Sequence, residues 1–331
     1  MKDLTNNRAA EIINNASGKT VAVIGDVMLD RYFWGSVTRI SPEAPVPVID
    51  VEKESIHLGG AANVAQNLKS LGLETLLCGV IGDDNSGKSF LDVSTSLGIN
   101  PDGLYIDSSR PTTVKTRIIG NNQQIARIDR EVRDNIDDKG LGFIIDKLNS
   151  INDLSGIILQ DYNKGTVTKE LIISVIKYAK SNNIPVLVDP KSDNFFLYKG
   201  VTLFKPNRKE AQQALGLPLR NKDEVFDAGK KLLVMLECEN VLITLGAEGM
   251  MLFESDGSIS SVPTKARHVA DVSGAGDTAI ATLSATISGG ANIREASSMA
   301  NYASGLVCEK PGIVSIKIDE LLESIRNNEL C

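Results

Sequence analysis

The sequence predicts an α/β domain with a mainly parallel sheet covered by helices on both faces and a small β-sheet projecting from it as a lid. Three observations predict this. Short apolar runs recur along the chain, helix-length segments separate most of them, and two stretches that break the alternation carry the turn signals of antiparallel β-structure.

The elements follow in order. After a polar opening, Ala9 to Asn15 reads as a short helix, and Thr20–Asp26 (TVAVIGD) reads as a buried strand ending in glycine and a carboxylate. Strand ends are where α/β proteins place chemistry. Further strands are expected at Glu74–Ile81, Gly156–Leu159, Ile184–Asp189, Thr202–Lys205 and Asn240–Leu245, with helices at Lys169–Asn182, Lys222–Glu237 and Ala279–Ser288. The first break in the rhythm, Arg39 to Glu54, holds three prolines and alternating Val46, Val48 and Val51. The second, Thr112–Ile119 and Gln124–Asp129 around Gly120-Asn121-Asn122, is a hairpin signal. No internal repeat, low-complexity tract or long linker is evident, so residues 1–331 are expected to form one domain whose lid comes from inserted segments at about 31–57 and 103–129.

Composition narrows the function. The 331 residues are 42% hydrophobic, enough for a large core, and 35 Lys and Arg against 42 Asp and Glu give a net charge of −7. No basic run could follow a nucleic-acid backbone or an anionic membrane, so neither partner is expected, whereas a phosphorylated small molecule is compatible with a few local cations or a helix N-terminus. Cys78, Cys238, Cys308 and Cys331 are scattered without a C-x-x-C pair, and His57 and His268 are the two histidines. Neither a disulfide framework nor a zinc site is suggested, and both histidines are expected to be structural. With a polar N-terminus and no apolar run long enough to span a bilayer, the expected location is the cytoplasm.

Two glycine-rich segments carry the chemistry. In the first, Gly59, Gly60, Ala61, Ala62 and Asn63 precede an amphipathic helix with Val64, Leu68 and Leu71 on one face. Small residues there let a ligand approach the backbone, and exposed N–H groups with the Asn63 side chain can bond sugar hydroxyls or an anion; a plain tight turn with helix packing accounts for the same residues. No dinucleotide fingerprint or Walker A loop is present. In the second segment, Gly274, Ala275 and Gly276 precede Asp277 and a small, apolar helix. Successive N–H groups at such a helix start make an anion hole, and Asp277 beside it can accept the proton of an attacking hydroxyl. Alone, the pattern also fits a helix-capping Asp after a glycine turn.

In order and spacing, the two segments together resemble the signatures of the ribokinase-like (PfkB) sugar kinases, over about Val21 to about Leu321. The resemblance implies a three-layer α/β/α domain with a β-lid, the first motif beside the sugar, Gly274, Ala275 and Gly276 as the anion hole and Asp277 as the catalytic base. It also implies ATP with Mg²⁺. Asn207 and Glu210, in KPNRKE, match the family's N-x-x-E motif, which places Asn207 beside the phosphates and lets Glu210 hold Mg²⁺ through water; the same spacing is a capping box. Thr244, Gly246 and Gly249 resemble the nucleotide-side strand and turn, where a hairpin into Met250–Phe253 is the bare alternative. Asn301 resembles a residue near the adenine, and helix packing explains it equally well.

Three stretches go beyond the family motifs: GDVMLDRY at 25–32, RISPEAPVPV at 39–48 and NQQIARID at 122–129. With QDYNKG at 160–165 and VDPK at 188–191, they are similar to the subgroup acting on D-glycero-β-D-manno-heptose 7-phosphate, which supplies ADP-heptose for lipopolysaccharide core. That similarity implies phosphorylation of the anomeric hydroxyl to the 1,7-bisphosphate. Asp26 and Asp30, and on similar grounds Asp161, can accept bonds from sugar hydroxyls, although Asp30 could instead pair with Arg31. Lys115, Arg117, Arg127 and Lys164 are the cations available for the distal phosphate, while Tyr32 and Trp34 are expected to pack the lid. Exposed lid edges favour a homodimer formed through the lid. In many bacteria this subgroup's kinase precedes a nucleotidyltransferase; the sequence stops at Cys331, and that second activity is expected in another polypeptide. A kinase for another sugar or sugar phosphate, or a catalytically silent sugar-binding protein, remain the competing readings.

Overall fold

Alternate residues of the first strand, β1 (Thr20–Gly25), serve opposite cores, which sets the layering of the molecule. Val21 and Val23 belong to one apolar cluster, and Ala22 and Ile24 to the other. A strand buried on both faces needs helices on both sides. The computed structural model describes residues 4–264 and 270–329; His268, expected to be structural, lies outside them.

The remaining strands are β2 (Val27–Ile40), β3 (Pro47–Gly60), β4 (Glu74–Gly82), β5 (Leu104–Asp107), β6 (Val114–Gly120), β7 (Gln123–Arg130), β8 (Leu154–Gln160), β9 (Val186–Asp189), β10 (Leu203–Phe204), β11 (Asn240–Thr244), β12 (Met250–Glu254) and β13 (Ile259–Val262). The helices are α1 (Asn6–Ala16), α2 (Ala61–Ser70), α3 (Asn85–Ser96), α4 (Asp138–Asn149), α5 (Lys169–Ser181), α6 (Arg208–Leu215), α7 (Lys222–Leu236), α8 (Ala275–Ser288), α9 (Ile293–Cys308) and α10 (Ile318–Glu329). Nine strands form the main sheet in the order β13-β12-β11-β10-β9-β8-β1-β4-β5. Its pairings are parallel except for the antiparallel β11–β12–β13 edge. One core cluster joins the sheet to α1, α2, α3, α8, α9 and α10, and the other joins it to α4, α5, α6 and α7, giving a three-layer α/β/α sandwich. Among the described residues no helix is long and apolar enough to cross a membrane.

The second sheet, β3-β2-β6-β7, is the lid. Its tip is the expected hairpin turn: Asn121 and Asn122 both take positive φ, 52° and 63°, as a tight two-residue turn demands. Two boundaries differ from expectation. The lid strands begin at Val27 and Val114, and Leu104–Asp107, placed in the lid from sequence, pairs in parallel with β4 at the edge of the main sheet.

Seven helices start at an Asn, Asp or Thr whose side chain accepts a first-turn N–H. α2 and α8 do not. Their N-caps are Gly60 and Gly274, with no side-chain cap, so their first-turn N–H groups are left to other partners. Both helices begin at the candidate site.

Candidate active site

Asp277 stands in the first turn of α8, 6% exposed. Asn63 Nδ2 donates to its Oδ2 at 2.8 Å, while Gln160 Nε2 (3.0 Å) and the Tyr162 hydroxyl (2.7 Å) donate to its Oδ1. Burial pushes the carboxyl up from 3.8 to about 6; the Asn63 and Tyr162 donors oppose this, nearby Asp189 adds to it, and Lys205 opposes it. The result is a buried carboxylate poised to gain or lose a proton near neutral pH, which suits a general base.

Beside it, Gly274 takes φ +80°, a left-handed conformation that glycine adopts without a Cβ penalty. Among the described residues the N–H groups of Gly276 and Asp277 have no protein acceptor. With the α8 dipole behind them, these N–H groups favour negative charge in front of the helix start. A Cβ on Gly276 would lie 3.8 Å from Asp189 Oδ2 and 3.9 Å from Lys205 Nζ. The buried Lys205–Asp189 pair, 3.0 Å apart, therefore borders the same N–H groups. Gln160 ties the two carboxylates together, donating also to Asp189 Oδ2 at 3.2 Å.

A cavity of about 180 Å³ runs from this helix start to the β11–β12 turn, with Thr244, Gly246, Gly249, Gly276 and Asn301 on its walls. The turn is the hairpin of the bare reading, and it also lines this cavity. Asn301 also packs, its Nδ2 donating to the Pro263 carbonyl at 2.6 Å. Asn207 and Glu210 form the capping box of α6, and Lys191 donates to Glu210 Oε1. Despite burial, Asp189 and Glu210 hold the Lys191 ammonium above its ordinary pKa. Two of the roughly four lone-pair positions on Glu210 are thereby used. The rest suit a metal-bound water, the way Mg²⁺ is commonly held beside phosphates.

Several expected sugar contacts have other work. Asp26, 1% exposed, accepts the N–H groups of Tyr162 (2.7 Å), Lys164 (3.0 Å) and Thr166 (3.0 Å) and so clamps the loop after β8. Asp161 accepts from Asn163 N, Tyr198 Oη and Asn194 Nδ2, equally enclosed. Neither carboxylate is presented to a sugar. Asn63 serves Asp277 and Asn67. Gly59 and Gly60 make room within the protein: a Cβ on Gly59 would sit 2.2 Å from Asp30 Oδ2, and one on Gly60 2.3 Å from the Asp26 carbonyl oxygen. Asp30 pairs with Arg117 across the lid, whereas Arg31 faces Glu54.

On the lid, Asp30, Tyr32, Lys115 and Arg117 share one face by register. Arg117 lies 5.2 Å from the Tyr32 ring centre, and Tyr32 stacks on Trp34 and meets His57 edge-on. Burial, followed by repulsion from Lys164, lowers the Lys115 pKa. Lys164 pairs with Glu131 at 2.7 Å, and Arg127 grips Asp129 with two bonds. Among the described residues Lys115 alone of the four expected phosphate cations has no hydrogen bond or ion pair.

Gln160, Tyr162, Asp189, Lys191 and Lys205 were not read from the sequence as site residues. Gln160 and Asp189 end β8 and β9, and Lys205 follows β10 directly; the strand-end rule that picked out Asp26 could have found all three.

The pfkB family carbohydrate kinase profile matches residues 19–319. Proteins named "Bifunctional protein HldE" are similar: that of Geobacter sulfurreducens is 42% identical over 312 residues, covering 94% of this chain and 64% of the relative. That of Helicobacter hepaticus is 43% identical over 306 residues, covering 92% and 63%. The chain thus spans less than two thirds of these relatives' length. Among solved structures, Arabidopsis thaliana ribokinase complexed with ribose and ATP aligns with a TM-score of 0.74 at 19% identity, covering 94% of this chain and 99% of that one. Escherichia coli phosphofructokinase-2 in complex with fructose-6-phosphate aligns with a TM-score of 0.74 at 16% identity, with coverage of 94% and 99%.

Proposed function

The chain belongs to the pfkB family of carbohydrate kinases, and on that premise we propose that this ATP-dependent sugar kinase phosphorylates the anomeric hydroxyl of D-glycero-β-D-manno-heptose 7-phosphate, giving the 1,7-bisphosphate and ADP. The observation that carries the chemistry is Asp277, buried and triply bonded beside unpartnered N–H groups at the start of α8. The support for the substrate is the heptose-type sequence at 25–32, 39–48 and 122–129.

In this reading the sugar lies between the lid and α8. Asp277 takes the proton of the C1 hydroxyl as its oxygen bonds to the γ-phosphorus and the bond to the β-phosphate oxygen breaks. The N–H groups of Gly276 and Asp277, with Lys205 behind them, meet the negative charge on the transferring group. The cavity beside Gly246 and Asn301 takes the nucleotide. Glu210 would hold Mg²⁺ through water, and the ion would neutralise phosphate charge. At the far end, Lys115 and Lys164 receive the phosphate that is not transferred: among the described residues Lys115 has no ion pair, and a dianion between the two lysines relieves their repulsion. Asp26 holds the loop that brings Tyr162 to the base and Lys164 to the lid.

The test is ATP consumption against a panel of sugars and sugar phosphates, with ³¹P NMR of the product. A new anomeric phosphate formed from heptose 7-phosphate supports the reading; consumption with other sugars but none with this one removes it.

A further inference from the structure

Resting on the reading of Asp277 as base, we propose that Tyr162 is a positioning residue that reserves one oxygen of Asp277, Oδ2, for the substrate proton and sets the strength of that base. A carboxylate offers about four lone-pair positions. On Asp277, Gln160 and Tyr162 occupy both positions on Oδ1, and Asn63 occupies one on Oδ2. The position left is on Oδ2. The proton of the attacking hydroxyl passes to it as the new O–P bond forms and ADP departs.

Two further contacts place Tyr162. Its own N–H is bound by Asp26 at 2.7 Å, and the Lys191 ammonium lies 5.3 Å from its ring centre. The first fixes the main chain at Tyr162 and the second packs against its ring, and together they hold the phenol against Asp277. The charged and titratable groups facing Asp277 are Tyr162 from the loop after β8, Asp189 and Lys191 from the end of β9 and the loop after it, and Lys205 after β10; the neutral donors are Gln160 and Asn63. Of these, Tyr162 makes the shortest bond to the carboxylate, 2.7 Å. A donor to the charged form lowers a carboxyl pKa, so its removal raises it.

The experiment compares pH profiles of kcat/KM for wild type, Tyr162→Phe, Asp277→Asn and a protein carrying 3-fluorotyrosine at position 162, with ATP and heptose 7-phosphate. The substrate phosphate titrates alike in every assay, so differences between profiles report the enzyme. Tyr162→Phe should move the acidic limb up by about one pH unit. Its activity relative to wild type should then rise roughly eightfold between pH 5.5 and pH 8.5, the ratio a one-unit shift from about 6 produces. The fluorinated phenol, a stronger donor of almost the same shape, should move the limb down, and this tests the proposal even if the Phe variant folds poorly. Asp277→Asn should be nearly inactive throughout. Limbs unmoved by both Tyr162 changes, with a loss equal at every pH, would overturn the role of Tyr162 while leaving Asp277 in place. Wild-type activity in Asp277→Asn would overturn both.

Discussion

Replacing Asp277 by Asn should cost activity and change stability by an amount that grows more favourable to the variant as pH rises. Because burial raises this carboxyl from 3.8 to about 6, the native protein binds a proton there more tightly than the unfolded chain between those values. The sign follows from linkage: the group's contribution is most favourable below 3.8 and is lost as pH rises through 6. A shift of about two units corresponds to about 3 kcal/mol of cost at pH 8 and less than about 1 kcal/mol at pH 4. Asparagine removes that titration. Its amide also meets the Asn63 amide at a position where the carboxylate accepted a bond, a donor–donor contact costing about 1–3 kcal/mol at any pH. The difference between variant and wild-type stability should therefore rise by about 2–3 kcal/mol from pH 4 to pH 8, whatever the fixed cost. Urea unfolding of both proteins at the two pH values measures it. Turnover should fall by about 10²–10⁴, as for loss of a general base. An equal stability difference at both pH values would refute the buried, raised-pKa description, and near wild-type turnover would refute the base.

Two further outcomes are expected. Lys115→Met, which keeps length and removes charge, should lower kcat/KM for the phosphorylated sugar by roughly 10–100-fold and for the plain sugar by less than about threefold, since a bond to a charged group is worth about 1.5–3 kcal/mol; equal losses on both sugars would free Lys115 of the phosphate role. The lid exposes Ile40 (61%) at the end of β2, and Val51 (55%) and Ile128 (57%) on its edge strands β3 and β7, so a homodimer is expected by light scattering at micromolar concentration, with Ile128→Lys shifting it toward monomer. A wild-type monomer at that concentration would contradict the pairing.

Local signals were legible where local chemistry decides the structure. The Asn121-Asn122 turn, the Asn207–Glu210 capping box and the alternation of strand and helix each rest on nearby residues. Tertiary choices were not. Leu104–Asp107 has an ordinary strand pattern, and only its pairing with Gly79–Gly82 places it in the main sheet instead of the lid. β2, interrupted by Gly35 and polar residues, gains its 14-residue length from partners on both sides in β3 and β6. Asp26 and Asp161 show the same limit within the site. Sequence places a carboxylate at a strand end, but a loop that turns back through Asn163 (φ 53°) and Gly165 (φ 85°) decides which N–H groups it meets. Tyr162, two residues past the end of β8, becomes visible as a site residue once α8 brings Asp277 beside it.

A kinase acting on heptose 7-phosphate must recognise a phosphate that it does not transfer. The most direct measurement is kcat/KM for D-glycero-β-D-manno-heptose 7-phosphate and for the same heptose without phosphate, under identical ATP and Mg²⁺. Two lysines meeting a dianion predict a preference of at least about 100-fold for the phosphorylated sugar. Equal values would contradict the heptose 7-phosphate reading and leave a kinase of unphosphorylated sugars.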